Sequence, residues 1–150
     1  MQWGGLDMSR VMIDTNVWVD VVLNRTGFAE ESKDVLMACL EDGDDILVAA
    51  TSLKDIFYFA ERSAGPDAAY RAVGLVLDIA IPAQVDDLVC RNALSLERPD
   101  YEDGIVAACM AAEGADAIVT RDERSFNELE VPKYSPREFV AARGFEPISL

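Results

Sequence analysis

Short apolar runs alternate with longer stretches of helical spacing along nearly the whole chain. Val11-Met12-Ile13 reads as a short buried strand, Ile46–Ala50 as a second, and Ile79–Ile81 as a third stopped by Pro82. Ala117–Val119 reads as a fourth and Val131–Tyr134 as a final edge strand. Between them the apolar positions recur every three or four residues. Asn16–Leu23 and Phe28–Glu41 are expected helices, the second with Val35, Leu36, Cys39 and Leu40 on one stripe and ended by Asp42-Gly43-Asp44-Asp45. Thr51 or Ser52 is the expected N-cap of a third helix carrying Leu53, Ile56, Phe57 and Ala60. Gly65-Pro66 breaks the chain before a helix over Asp67–Leu77. Val85, Leu88, Val89, Ala93 and Leu96 mark the next, which Pro99 stops. Asp100 opens a helix that runs from Gly104 to Ala112. Ser125–Leu129 reads as a short helical turn, and Pro136 starts a last helix through Ala142 that Gly144 ends. Alternating strands and helices of this kind predict a mainly parallel sheet covered on both faces.

Composition narrows the chemistry. The chain has 150 residues, enough for one domain with a real core, and 51% of them are hydrophobic. No histidine is present, which excludes a Ser-His-Asp or Cys-His pair and makes a typical catalytic zinc site untenable. Cys39, Cys90 and Cys109 are odd in number, far apart and set in apolar helical stretches, so they read as reduced thiols of a cytoplasmic protein. No apolar run is long enough to suggest a membrane span, and residues 1–9, with Gly4-Gly5, lack periodicity and read as a loose leader without a signal-peptide core. Residues 10–150 are then expected to form a single domain.

The candidate chemistry lies in the acids. Asp14 closes the first strand, Asp55 lies one turn into the helix after the second, Asp100-Tyr101-Glu102-Asp103 opens a helix, and Asp122 follows the strand Ala117–Val119. Crossovers in a parallel sheet carry the segments after its strands to one edge, where ligands bind at the point of strand-order reversal. Carboxylates gathered there repel one another, each pair by roughly 4 kcal/mol at ~4 Å and an effective dielectric of about 20. Divalent cations turn that repulsion into binding, and hard oxygen donors suit Mg²⁺ or Mn²⁺.

The ordered set Ile13-Asp14-Thr15-Asn16-Val17, Thr51-Ser52-Leu53-Lys54-Asp55, Asp100-Tyr101-Glu102-Asp103 and Thr120-Arg121-Asp122 with Phe126 resembles the PIN-domain nucleases, from about Arg10 to Tyr134. The resemblance implies a three-layer α/β/α sandwich, an acidic pocket for one or two Mg²⁺ or Mn²⁺ ions, and hydrolysis of single-stranded RNA. It also implies an antitoxin partner, since single-domain members are often the toxins of toxin–antitoxin pairs (the VapC-like group); a homodimer is expected instead from the aromatic helix face at Phe57, Tyr58 and Phe59. Carried over by residue, Asp14, Asp55, Asp103 and Asp122 are the catalytic acids. Asp14, Asp103, Asp122 and, less directly, Asp100 are the metal ligands. Asp14 could equally cap the following helix, and Asp100 and Asp103 could cap theirs. Thr120 and Asn16 are expected to orient the pocket by hydrogen bonding. Asp55 stands where many members carry Glu, one methylene longer, so its carboxylate is expected farther from the metal. Glu61 is a poor substitute six residues on, and Glu102 is expected to be a solvated surface acid.

Charge pulls against this reading. At −15 the chain should repel RNA, whereas nucleic-acid binders usually carry a basic footprint. Lys54, Arg121 and Arg124, with Arg25, are the candidate substrate-binding rim around the acids, or else ordinary surface cations. The acidic surface and Asp55 leave room for an alternative, a catalytically weak or inactive PIN-like protein-binding module. A phosphatase of similar topology is disfavoured because no second acid follows Asp14 in an Asp-x-Asp arrangement and no glycine-rich phosphate loop follows a strand. Trp18 and Phe28 read as core. Phe57, Tyr58 and Phe59 point around one helix, so at least one faces solvent, a second copy or an antitoxin groove.

Overall fold

The first strand, β1 (Arg10–Ile13), is apolar on both sides because it is the middle of a five-stranded sheet. The computed structural model describes residues 9–97 and 100–146. Residues 1–8 of the leader expected over 1–9, and the stop at Pro99, lie outside the described residues. β2 (Asp45–Ala49), β3 (Ile81–Ala83), β4 (Ala117–Val119) and β5 (Lys133–Tyr134) complete a sheet of order β3-β2-β1-β4-β5 in which every pair is parallel. The chain moves outward from β1 to β3, then returns to β1's other side as β4. Strand order therefore reverses at β1, and a crevice opens beyond the carboxyl ends of β1 and β4.

Side chains alternate across the sheet and divide the core in two. Val11, Ile13, Ile46, Val48 and Val119 face one layer, formed by α1 (Thr15–Val22), α2 (Ala29–Asp42), α3 (Ala50–Ala64), α4 (Pro66–Ile79) and α7 (Pro136–Arg143). Met12, Leu47, Ala49 and Ile118 face the other, formed by α5 (Asp87–Ser95) and α6 (Tyr101–Glu113) with Phe126. The expected three-layer sandwich with a parallel sheet is the observed fold. Among the described residues no helix is long and apolar enough to cross a membrane.

Several local expectations are corrected. The third strand is Ile81–Ala83, two residues later than expected, because α4 continues to Ile79. Pro82 lies inside that strand, which is tolerated because β3 is at the sheet edge. Neither Thr51 nor Ser52 caps α3; the helix starts at Ala50 straight from β2 and has no side-chain cap. Ser52 instead accepts a 2.7 Å hydrogen bond from the Thr15 hydroxyl, tying α3 to α1. Residues 125–128 form a turn rather than a helix, with Phe126 in the left-handed region at φ 63° and its ring buried. β5 is only Lys133–Tyr134. Trp18 is core, but Phe28 is 44% exposed. Cys39 and Cys109 are buried and Cys90 half-buried, all three free thiols.

One contact fixes where α6 carries its acids. Gly104 packs on α5 so closely that a Cβ would stand 3.0 Å from the carbonyl oxygen of Ala93. A backbone atom cannot swing aside as a side-chain tip can. Gly104→Ala should therefore cost about 1–3 kcal/mol, a fall of several degrees in melting temperature measured by circular dichroism.

Candidate functional site

Asp14 follows β1 directly and its backbone N–H still pairs with the Val119 carbonyl at 3.0 Å, so the parallel ladder itself sets Asp14 beside the end of β4. Its carboxylate has two jobs. Oδ1 accepts from the Thr15 N–H at 2.9 Å and caps α1. Oδ2 accepts from the Thr120 hydroxyl at 2.7 Å. Thr120 Oγ1 in turn accepts from Asn16 Nδ2 at 3.3 Å and from the Asp122 N–H at 3.1 Å. Asn16 Nδ2 also approaches Asp14 Oδ2 at 3.4 Å, and its Oδ1 accepts from the Arg121 N–H at 3.2 Å. Thr120 and Asn16 thus hold the first carboxylate in place.

Asp103 comes in on the first turn of α6 and Asp122 on the loop after β4. The Ser125 hydroxyl lies 2.7 Å from Asp103 Oδ2 and 2.7 Å from Asp122 Oδ2. A hydroxyl carries one proton, so it cannot donate to both carboxylates at once. The sequence reading missed Ser125; its only signal was a hydroxyl three residues after Asp122 in a segment read as a helical turn.

A cavity of about 430 Å³ opens over this edge, lined by Asp14, Asn16, Asp55, Glu102 and Asp103, together with Arg25, Tyr58 and Phe59. Burial raises the Asp14 carboxyl above the ordinary carboxylate range, and the charges of Asp103 and Asp122 push the same way against its hydrogen bonds to Thr120 and Thr15. Asp122 is held below its ordinary value by the Ser125 hydroxyl and the Arg124 N–H. Glu102 is pushed up to about 7, first by a hydrogen bond shared with Asp55, then by burial and by Asp55's charge. It is exposed, as expected of a surface acid, and also borders the cavity beside Asp55.

Other expected residues fall elsewhere. Asp100 caps α6 by accepting from the Glu102 N–H at 2.9 Å and is not among the cavity-lining residues. The cap is one of the two roles expected for it from the sequence. The Arg121 guanidinium forks onto the fully buried Asp20, with Nε at 2.5 Å and Nη2 at 2.9 Å. It also covers the Phe28 ring at 4.2 Å. Lys54 pairs with Asp55 at 2.9 Å. Arg124 is exposed and touches the site through its backbone N–H to Asp122 Oδ1 at 2.9 Å. Asp122 belongs to the adjoining cavity, with Thr120 and Lys133.

Among the described residues no three acids close around a point as a metal cage. The donor set nevertheless suits Mg²⁺ or Mn²⁺. These ions take hard oxygens, keep several waters and need only one or two carboxylates. Asp14 and Asp103 supply two on one cavity, where burial first and the charges of Asp103 and Asp122 after it raise the Asp14 pKa.

The architecture is that of a small acidic-edged α/β/α domain, and comparisons with known proteins give it a family. A family model described as a PIN domain matches residues 10–124. The chain belongs to the PIN-domain family. No curated protein matches it in sequence. Among solved structures it is similar to VapBC-1 from nontypeable Haemophilus influenzae, with a TM-score of 0.64, 14% identity, and 85% of this chain and 98% of that one covered. It is also similar to Mycobacterium tuberculosis VapC20, a sarcin–ricin loop cleaving toxin, with a TM-score of 0.63, 15% identity and coverage of 76% and 91%. VapBC2 from Rickettsia felis, bound to a DNA fragment from its promoter, gives 0.63, 15%, and 83% and 98%. At these identities the likeness is one of fold.

The raised Asp14 pKa has a sign that can be checked. An acid whose folded pKa lies above its unfolded value costs stability once pH exceeds the unfolded value, because the folded state resists losing the proton. Asp14→Asn should therefore melt a few degrees higher than the parent at pH 7 without metal, with the gain shrinking as pH falls toward about 4. Mg²⁺ or Mn²⁺ should raise the melting temperature of the parent and do so far less for Asp14→Asn, read by calorimetry at each pH.

Proposed function

We propose that this protein is a divalent-metal-dependent endoribonuclease and the toxin of a toxin–antitoxin pair. The observation that carries the reading is the pairing of Asp14 and Asp103 on one cavity at the strand-order reversal, with Asp122 joined to them through Thr120 and Ser125. Membership of the PIN-domain family supports nuclease chemistry. The fold likeness to a toxin that cleaves the sarcin–ricin loop supports RNA as substrate, and the VapBC structures support an antitoxin partner. A cytoplasmic homodimer acting on single-stranded or tRNA-like RNA completes the proposal.

The geometry supports a division of roles. Asp14 and Asp103 would hold Mg²⁺ or Mn²⁺, with Asp122 completing the acidic edge from behind Ser125. When bound, such an ion lowers the pKa of a coordinated water and offsets charge on the attacked phosphate. Thr120 and Asn16 fix the rotamer of Asp14, so the ligand oxygen is oriented before substrate arrives. Ser125 spaces Asp103 from Asp122. Asp55 and Glu102 stand side by side at the cavity and add local negative charge, partly balanced by Lys54 on Asp55.

The second reading, a PIN-like protein-binding module that no longer cuts, is favoured by one observation. Asp55 is paired with Lys54 and Glu102, so it stands committed without a metal. Incubating purified protein with a single-stranded RNA separates the two. The nuclease reading expects cleavage that needs Mg²⁺ or Mn²⁺, stops with EDTA, and falls at least about 100-fold in both Asp14→Asn and Asp103→Asn. Intact RNA with either ion, from protein that still binds metal, supports the binding module.

A further inference from the structure

The cavity that holds the acids has a second kind of lining, and the nuclease chemistry leaves it unused. Tyr58 and Phe59 on α3 and Arg25, in the turn after α1, border the same space as Asp14 and Asp103. Tyr58 is 51% exposed and Phe59 40%. The two rings meet edge to face with centroids 5.8 Å apart. Each has an arginine beside it. Arg25 lies 5.8 Å from the Phe59 ring centre and leans on the buried Asp20 at 3.7 Å. Arg62 lies 5.5 Å from the Tyr58 ring centre and donates to its hydroxyl at 3.1 Å.

A cation site calls for oxygens and water, so large apolar rings at its border need another reason. Exposed rings stiffened by neighbours, with guanidinium groups alongside, are what single-stranded nucleic acid binds: bases stack on aromatic faces while cations take the phosphates. Stacking is available only to a base that has left its own stack. A space of about 430 Å³ is in the range that encloses a small ligand, which suits one nucleotide and excludes a duplex. It also answers the repulsion expected from a net charge of −15, because stacking is indifferent to charge and Arg25 places a positive group inside the acidic cavity.

We propose that Tyr58 and Phe59 form a stacking platform for one unpaired nucleobase next to the cleaved phosphate, with Arg25 holding a neighbouring phosphate. The site thereby selects looped or single-stranded RNA. This inference rests on the nuclease reading and deepens it.

The test measures binding apart from cutting. The Asp14→Asn protein with Mg²⁺ is titrated into a fluorescein-labelled single-stranded RNA of about ten nucleotides, and into the same strand with its bases replaced by abasic sites, followed by anisotropy. Phe59→Leu and Tyr58→Leu keep apolar volume at exposed positions and are checked for folding by circular dichroism. Each is expected to weaken binding to the native strand about tenfold and leave the abasic strand unchanged, while Phe59→Trp restores affinity. Equal affinity of Phe59→Leu and parent for the native strand overturns the platform, as does absence of binding by the parent. A leucine variant that loses self-association in sedimentation while keeping its RNA affinity also overturns it and assigns the rings to a protein contact. Cleavage by the unsubstituted protein is scored separately. Cutting with no stacking signature leaves the nuclease reading standing and removes the platform; stacking without cutting does the reverse.

Discussion

The parallel pairing of β1 with β4 is the constraint on which the rest depends. It places Ile13 beside Val119 and lets the Asp14 N–H continue the ladder to the Val119 carbonyl. Two segments more than a hundred residues apart therefore leave the sheet side by side. The next residues are an acid on one chain and a threonine on the other, and they hydrogen-bond at 2.7 Å. Because strand order also reverses at β1, no strand covers the space beyond. Charge repulsion at this edge is the cost, and the hydroxyls of Thr120 and Ser125 offset it only in part.

A second interaction carries the edge into the helical layer. Asp20, buried on α1, accepts both arms of Arg121 and the Ser32 hydroxyl at 3.3 Å from α2. Arg25 approaches the same carboxylate at 3.7 Å. A buried pair of this kind adds little net stability, but removing one member leaves an uncompensated charge and costs about 3–5 kcal/mol. Its effect here is positional. Arg121 stands between Thr120 and Asp122, so clamping it to α1 sets the path of the loop that carries Asp122 and Ser125. Arg121, which a sequence reader would place on an RNA-binding rim, is thus held by the buried acid, whereas Arg25 approaches that acid only at 3.7 Å and still borders the cavity.

The strands and most helices were legible because their apolar spacing is unambiguous. Val11–Ile13, Ala117–Val119 and the stripe through Val35, Leu36 and Cys39 all fall where the pattern puts them. The misses have physical causes. β3 was misplaced because Pro82 reads as a stop, and only its edge position makes it acceptable. The cap of α3 was misread because Ser52 has a tertiary partner, Thr15, that no local window contains. At the site, topology made the convergence of Asp14, Asp55 and Asp122 on one edge foreseeable from their places after strands; Asp14 and Asp55 line one cavity and Asp122 the adjoining one, whereas the place of Asp103 depends on where α6 docks, which spacing does not encode. The partners of Glu102, Arg121 and Ser125 were not legible in the same way. Their roles are set by which of several nearby partners each side chain reaches, and spacing does not encode that choice.

The account joins a family-level assignment to a local electrostatic one: acids crowded at a sheet edge, under-supplied with protons, beside exposed rings. Its central claim is that this edge binds a divalent cation between Asp14 and Asp103. Anomalous diffraction from crystals grown with Mn²⁺ tests it most directly. The account predicts an anomalous peak within coordination distance, about 2.0–2.3 Å, of an oxygen of each of those two residues. A map with no peak at that edge, or a peak bound only by other acids, would contradict it.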